Sequence, residues 1–377
     1  MIEVIVFVLV LMGALLAWVT ISAKRSMAYV FCNATVSAWE AKLLSEARLM
    51  ELVETQSITN IFSALDETEY RPQFTEIQRG GEVDMIAVEK AFMENLNMRY
   101  SELLSMVPRE RKDIVMKILQ RRDLMNLKTI VTMIHEKVPP EQRIHHLVPS
   151  PTMSQERLEM LASAEDFNEL LEFLKGSEYF DVVAGSLEDY EKIGITAMIS
   201  ALDMNYYKNL WKEVLKKRSQ RSILKSMIGY EIDSANIKLI LRLKQENARP
   251  EEIEKRLIRP SHELTEEMLK AMITANDIRS AIHMIRITTP GSVLSNAITQ
   301  IEREGVQAAE RALDEGHLKL CRWLGLTKFF SIAPVISYIK QKEAEVKNLR
   351  AIIRLKMDGF QPQKIKEKMV RVPKIEL

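Results

Sequence analysis

The sequence predicts an all-α protein: an N-terminal hydrophobic helix followed by three pseudo-equivalent helical bundles. Three observations carry that expectation. The 377 residues include only 12 Gly and 12 Pro but 21 Met, with heavy use of Leu, Ile, Ala, Glu, Lys and Arg, residues that enter helices at little cost. No stretch alternates apolar and polar residues as a half-buried strand would. A short pattern also recurs three times with a period of about 110 residues.

The last copy reads Glu345-Val346-Lys347-Asn348-Leu349-Arg350, followed by Pro362. The middle copy is Asp233-Ser234-Ala235-Asn236-Ile237-Lys238, followed by Pro250, and the first is Asp123-Leu124-Met125-Asn126-Leu127-Lys128, followed by Pro140. Each has an acid three places before the Asn, an aliphatic residue after it, then a base. The step from Asn to Pro is the same every time, from 126 to 140, 236 to 250 and 348 to 362. The Asn positions themselves recur at nearly equal intervals along the chain. Inside a helix, Asn competes with the backbone for hydrogen bonds and is a poor choice unless its amide has a partner. Its recurrence predicts a repeated buried hydrogen bond, with a neighbouring helix as the candidate partner. These nine acid, Asn and Pro positions are read as structural, not chemical.

Taken in order, residues 4–21 carry no charge. At ~1.5 Å per residue they make roughly 27 Å of helix, close to the ~30 Å of a hydrocarbon core. Glu3 precedes the run and Lys24-Arg25 follow it, the reverse of a secretory signal. The positive-inside rule then puts residues from 24 onward in the cytoplasm, where the Asn33-Ala34-Thr35 sequon is not glycosylated. Translation beginning at Met27 is the alternative. A long helix is expected over 29–47. The apolar spacing from Arg48 to Tyr70 recurs from Arg157 to Tyr179 and, more weakly, from Leu269 to Ile285. Each reads as two short amphipathic helices with a polar break. Gly80-Gly81 ends this opening in the first unit and Pro290-Gly291-Ser292 in the third. Long helices are expected over 88–106 and 187–217. Pro250-Glu251-Glu252-Ile253 signals a helix start, and Pro149-Ser150-Pro151 and Pro260-Ser261 mark exits. The expected divisions are residues 1–27 for the hydrophobic segment, then 28–151, 152–261 and 262–377 for the three repeats.

Composition excludes several classes. A formal net charge of +1 gives no footprint for nucleic acid. Cys32 and Cys321 fit a reducing compartment without a disulfide framework. No Gly-rich phosphate loop, metal-ligand spacing or nucleophile elbow occurs, so no catalytic residue, cofactor, metal or small-molecule substrate is expected. His145-His146 is read as a solvated pair beside Pro149. Met153, Met160 and Met198 are read as core filler. The basic run of Lys212, Lys216-Lys217-Arg218, Arg221 and Lys225, beside Tyr206-Tyr207 and Trp211, is read as a solvated helix face, with an acidic partner or lipid headgroups as the alternative.

Four stretches together resemble a known family. They are Tyr29-Val30-Phe31-Cys32-Asn33-Ala34, Arg122-Asp123-Leu124-Met125-Asn126-Leu127, Glu231-Ile232-Asp233-Ser234-Ala235-Asn236-Ile237, and Tyr338 to Glu345 running into Asn348-Leu349-Arg350. In order and spacing, over residues 28–371, the chain resembles the C subunit of archaeal-type (A/V-type) rotary ATP synthases, the counterpart of the d subunit of vacuolar ATPases. The resemblance implies three related bundles arranged as a funnel with pseudo-threefold symmetry. It implies a non-catalytic socket at the cytoplasmic face of the membrane. One end of that socket meets the membrane rotor ring, and its hollow receives the foot of the central shaft. Family members are peripheral, so residues 4–21 depart from the pattern. Three arrangements fit that segment: it pins the protein to the ring, it is clipped, or it is not translated. A membrane-anchored helical adaptor for other soluble partners is the rival reading, and an all-α enzyme lacks any constellation of nucleophile, base and orienter.

Overall fold

The computed structural model describes residues 2–79 and 84–371. Every regular element among them is helical, and an isolated bridge between Ser150 and Met153 is the one β contact among the described residues. Gly80 and Gly81 lie outside the described residues, as do 372–377 of the third expected repeat.

The chain begins with a single 39-residue helix, Ile2–Glu40. Its first half exposes apolar side chains such as Phe7, Leu11, Leu15 and Trp18, while Tyr29, Cys32, Asn33 and Val36 are buried in the body. The helix expected to run to residue 47 ends earlier, at Glu40. The Ser45 hydroxyl instead accepts from the Arg48 amide and starts a separate helix, Glu46–Glu54.

The expected pairs of short helices are present three times. They are Glu46–Glu54 with Ile58–Leu65, Gln155–Ala162 with Phe167–Leu174, and Glu266–Thr274 with Ile278–Met284. Ser45, Ser154 and Thr265 cap the first members, and Ser57, Asp166 and Asp277 the second. The same positions face inward each time: Leu49, Leu52 and Val53, then Leu158, Leu161 and Ala162, then Leu269, Met272 and Ile273. Pro290-Gly291 does not end such an opening but sits in the first turn of Thr289–Asn296, capped by Thr288. Proline's preset φ and missing N–H suit that position.

The long helix expected over 187–217 is two helices, Phe180–Ile193 and Ile195–Lys216. Gly194, at φ 74°, makes the break, and Gly305, at φ 75°, makes the same break before Val306–Thr327. The Asn residues lie on Arg121–His135, Arg221–Gln245 and Ala333–Met357. The first is set off by Gln120 from Lys112–Leu119, whereas the other two run unbroken for 25 residues.

All three Asn helices stop in one way. Lys137, Asn247 and Gly359 adopt positive φ, and the next amide (Val138, Ala248, Phe360) bonds back to Met133, Leu243 and Leu355 at 2.9 Å each. That left-handed closure satisfies carbonyls which a helix end leaves open. Pro140, Pro250 and Pro362 then open Pro140–Arg143, Pro250–Lys255 and Pro362–Lys368. Ala333–Met357 is buried along most of its length and forms the middle of the body.

Candidate functional site

The Asn amides are all buried, and each is doubly bonded. Asn126 Nδ2 donates to the Val148 carbonyl at 2.8 Å, and its Oδ1 accepts from the Val148 amide at 3.5 Å. Asn236 makes the same pair with Ile258 at 2.9 and 2.8 Å, and Asn348 with Val370 at 2.7 and 2.9 Å. The partner is therefore the chain's own exit segment, 22 residues on, and not a neighbouring helix. A primary amide offers one donor and one acceptor side by side, which matches the N–H and C=O of a single extended residue.

The acids three places earlier grip the start of a following segment. Asp123 accepts from the Ser150 and Thr152 hydroxyls, the latter at 2.6 Å, and Asp233 from the His262 and Glu263 amides at 2.7 Å each. Burial pushes both Asp carboxyls up, and these hydrogen bonds oppose it. Glu345 instead reaches back to the beginning of the body, accepting from the Leu44 amide and the Tyr70 hydroxyl.

The bases two places after each Asn follow the same order. Lys128 pairs with Asp203 at 2.7 Å and Lys238 pairs with Asp314, whereas Arg350 returns to Glu89 at 3.1 Å. A third set caps helix ends. Arg143 donates to the carbonyls of Ala162 and Ala164, Lys244 to those of Ile273 and Ala275, and Lys356 to that of Thr55.

The three Asn helices line one open cavity of about 500 Å³. Among the described residues its wall carries nine cationic and four anionic side chains. At its floor, Glu231 meets Arg121 and Lys340, the latter at 3.0 Å, and the Tyr100 hydroxyl donates to Glu343 at 3.0 Å. Burial alone would raise the Glu231 carboxyl, but Lys340 and Arg121 hold it well below the usual range. Arg122 also faces the cavity, and its Nε makes no hydrogen bond among the described residues. The wall therefore presents net positive charge to whatever enters.

Several ionisable groups of the lining and of the body are engaged in structure. His317 stacks on Tyr230 and its Nε2 meets the Met227 carbonyl at 2.9 Å. Burial pushes its pKa down to about 4, so the ring is neutral near pH 7. Burial pushes the Cys32 thiol up to about 11 and the Cys321 thiol higher still, which disfavours the reactive thiolate. His145 and His146 are exposed on a short turn. Met153 and Met198 are buried, but Met160 is exposed, contrary to its reading as filler. The basic run faces solvent at Lys212, Lys216 and Arg218, above buried Tyr206, Tyr207 and Trp211. Asn33 of the sequon is fully buried and donates to the Ser331 carbonyl at 2.9 Å.

Sequence reasoning missed the cavity lining. Its charges lie on the inner faces of helices whose acid and base spacing also suits a solvated surface, so periodicity alone carried no signal for it.

The family model described as ATP synthase (C/AC39) subunit matches residues 32–368. The A-type ATP synthase C subunit of Methanocaldococcus jannaschii is 29% identical over 94% of this chain and 89% of its own length. That of Thermococcus onnurineus is 31% identical over 90% of this chain and 89% of its own, and that of Methanothermobacter thermautotrophicus 29% identical over 97% and 95%. The chain belongs to the ATP synthase C/AC39 subunit family.

Proposed function

We propose that this chain is the non-catalytic central-stalk socket of a rotary ATP synthase. In this reading it sits at the cytoplasmic face of the membrane, links the rotor ring to the central shaft, and passes torque between ion flow and ATP turnover. Residues 28–151, 152–261 and 262–377 are three units closed in a ring about one axis, forming a funnel whose hollow receives the shaft.

The observation that carries the reading is the order of the contacts made by the repeated residues. Asp123, Lys128 and Arg143 all reach from the first unit to the second. Asp233, Lys238 and Lys244 reach from the second to the third. Glu345, Arg350 and Lys356 reach from the third back to the first. An open array would leave the last set without partners, whereas a closed ring uses all three. Charged and capping contacts at every seam resist shear between units, as torque transfer requires. The cationic cavity supports an acidic shaft foot as its occupant.

The test is affinity capture of C-terminally tagged protein from mild-detergent membranes, with partners identified by mass spectrometry. Recovery of ring, shaft and catalytic-head subunits is expected. Loss of the shaft alone on Lys347→Glu with Arg122→Glu would assign the cavity to it. Recovery of other soluble proteins instead would favour the adaptor reading.

A further inference from the structure

The N-terminal helix leaves the body where three equivalent helix starts meet. Arg111 immediately precedes Lys112–Leu119, Gln220 precedes Arg221–Gln245 and Ile332 precedes Ala333–Met357, at nearly equal intervals along the chain. The Tyr29 hydroxyl accepts from Arg111 Nε at 2.9 Å and from Gln220 Nε2 at 3.3 Å. Gln220 Oε1 in turn accepts from the Ile332 amide at 3.0 Å. One turn along, Asn33 holds the Phe329 and Ser331 carbonyls. A single turn of the N-terminal helix is thus tied to all three starts, at the opposite end of the Asn helices from their left-handed closures.

From that point the helix continues outward without a break to Ile2. Ile5, Val6, Phe7, Leu9, Leu11 and Leu15 are distributed all round it at ~100° per residue, and each is more than half exposed. A helix apolar on every side is matched by surrounding hydrocarbon, whereas docking in a protein groove needs only one apolar face. Residues 5–21 extend about 25 Å, close to the bilayer's apolar thickness. The end of the body from which the helix emerges carries exposed Arg109, Lys112, Lys216, Arg218 and Lys328, against Glu110 and Asp113. That excess of cations suits anionic headgroups.

We propose that residues 5–21 cross the bilayer along the common axis of the three helix starts, inside the lumen of the membrane ring. This rests on the rotor reading above. In a rotating subunit an off-axis span would sweep through lipid and collide with the stator on every turn. A span on the axis spins in place. The helix tied to the three starts therefore becomes a coaxial pin, with the inner ring wall around it.

The experiment places a photo-crosslinking amino acid at Leu11, and separately at exposed Phe330 beside the exit, in the complete complex in native membranes. The expected result is ring subunits captured from both positions, with the Leu11 adduct mapping to the lumen-facing helix of the ring at mid-membrane depth. Capture of the ring from Phe330, but only of lipid or a stator subunit from Leu11, overturns the axial pin and leaves the socket reading standing. Capture of the ring from neither position overturns both.

Discussion

At the scale of single residues, the Asn at the centre of each repeat is a clamp that closes its helix onto its own exit segment. Removing the Asn236 amide leaves the buried N–H and C=O of Ile258 without partners, and each such orphan costs roughly 1–3 kcal/mol. Asn236→Leu should therefore lower unfolding stability by about 3 kcal/mol in chemical denaturation; an unchanged midpoint contradicts the clamp. Asp314 offers a test by pH. Burial raises its carboxyl, but Lys238 and Lys347 outweigh that and hold it down to about 2. A depressed carboxylate contributes stability that is complete above its unfolded value near ~4 and fades as pH falls towards the folded value. The stability gap between wild type and Asp314→Asn should be largest near neutral pH and should close between about pH 4 and 2. A gap that stays constant over that range would show that the carboxylate is not the source. The sequence announced that these Asn residues need partners, because Asn is costly inside a helix. It could not name the partners, because a backbone N–H and C=O pair leaves no trace in residue identity.

At the scale of elements, the three Asn helices show how one geometry tolerates different residues. Their closures need positive φ, which Gly359 adopts freely while Lys137 and Asn247 do so at a cost. Lys137→Gly should stabilise the protein by about 1 kcal/mol, measured as a rise in thermal midpoint, since the strain exceeds the added chain entropy. A fall would mean that the lysine side chain contributes more than its backbone loses. The Pro at the start of each following helix was legible from the sequence, since proline favours that position for reasons local to it. The breaks at Gly194 and Gln120 were not, because the apolar pattern runs through both. The carbonyl-capping cation was hidden for another reason. Lys244 and Lys356 align, but the first copy has Ile134 at that position and supplies Arg143 from the next turn of chain instead.

At the scale of the molecule, the contacts of Glu345, Arg350 and Lys356 back to Leu44, Glu89 and Thr55 are the seam that, in the proposed reading, turns a linear repeat into a ring. Lys342 lies at this seam with its side chain fully buried, bonded to Glu69, the Tyr70 hydroxyl and Glu345. Lys342→Met would strand the Glu345 carboxylate in the interior, an error that typically costs about 3–5 kcal/mol, while Glu69 keeps Arg99. If the seam is a separate cooperative element, hydrogen exchange should also rise selectively over residues 44–70 and 331–345. Uniform loosening would argue against a seam. The long period of the Asn pattern is what led to the expectation of three units. The proposed closure into a ring came only from the family resemblance. The receiving acids Glu89, Asp203 and Asp314 sit on the equivalent helices Met85–Met106, Ile195–Lys216 and Val306–Thr327, but nothing in residue identity pairs them with a base of another repeat.

The most direct test of the account is to lock the socket to the shaft and measure coupling. A cysteine at exposed Lys347 on the cavity wall, joined by disulfide to one in the shaft foot within the intact complex, would fix the two together. ATP-driven ion pumping should continue at its normal ratio after oxidation, since the two parts already turn as one body. Loss of pumping on oxidation, reversed by reduction, would mean that they move relative to each other and would contradict the socket.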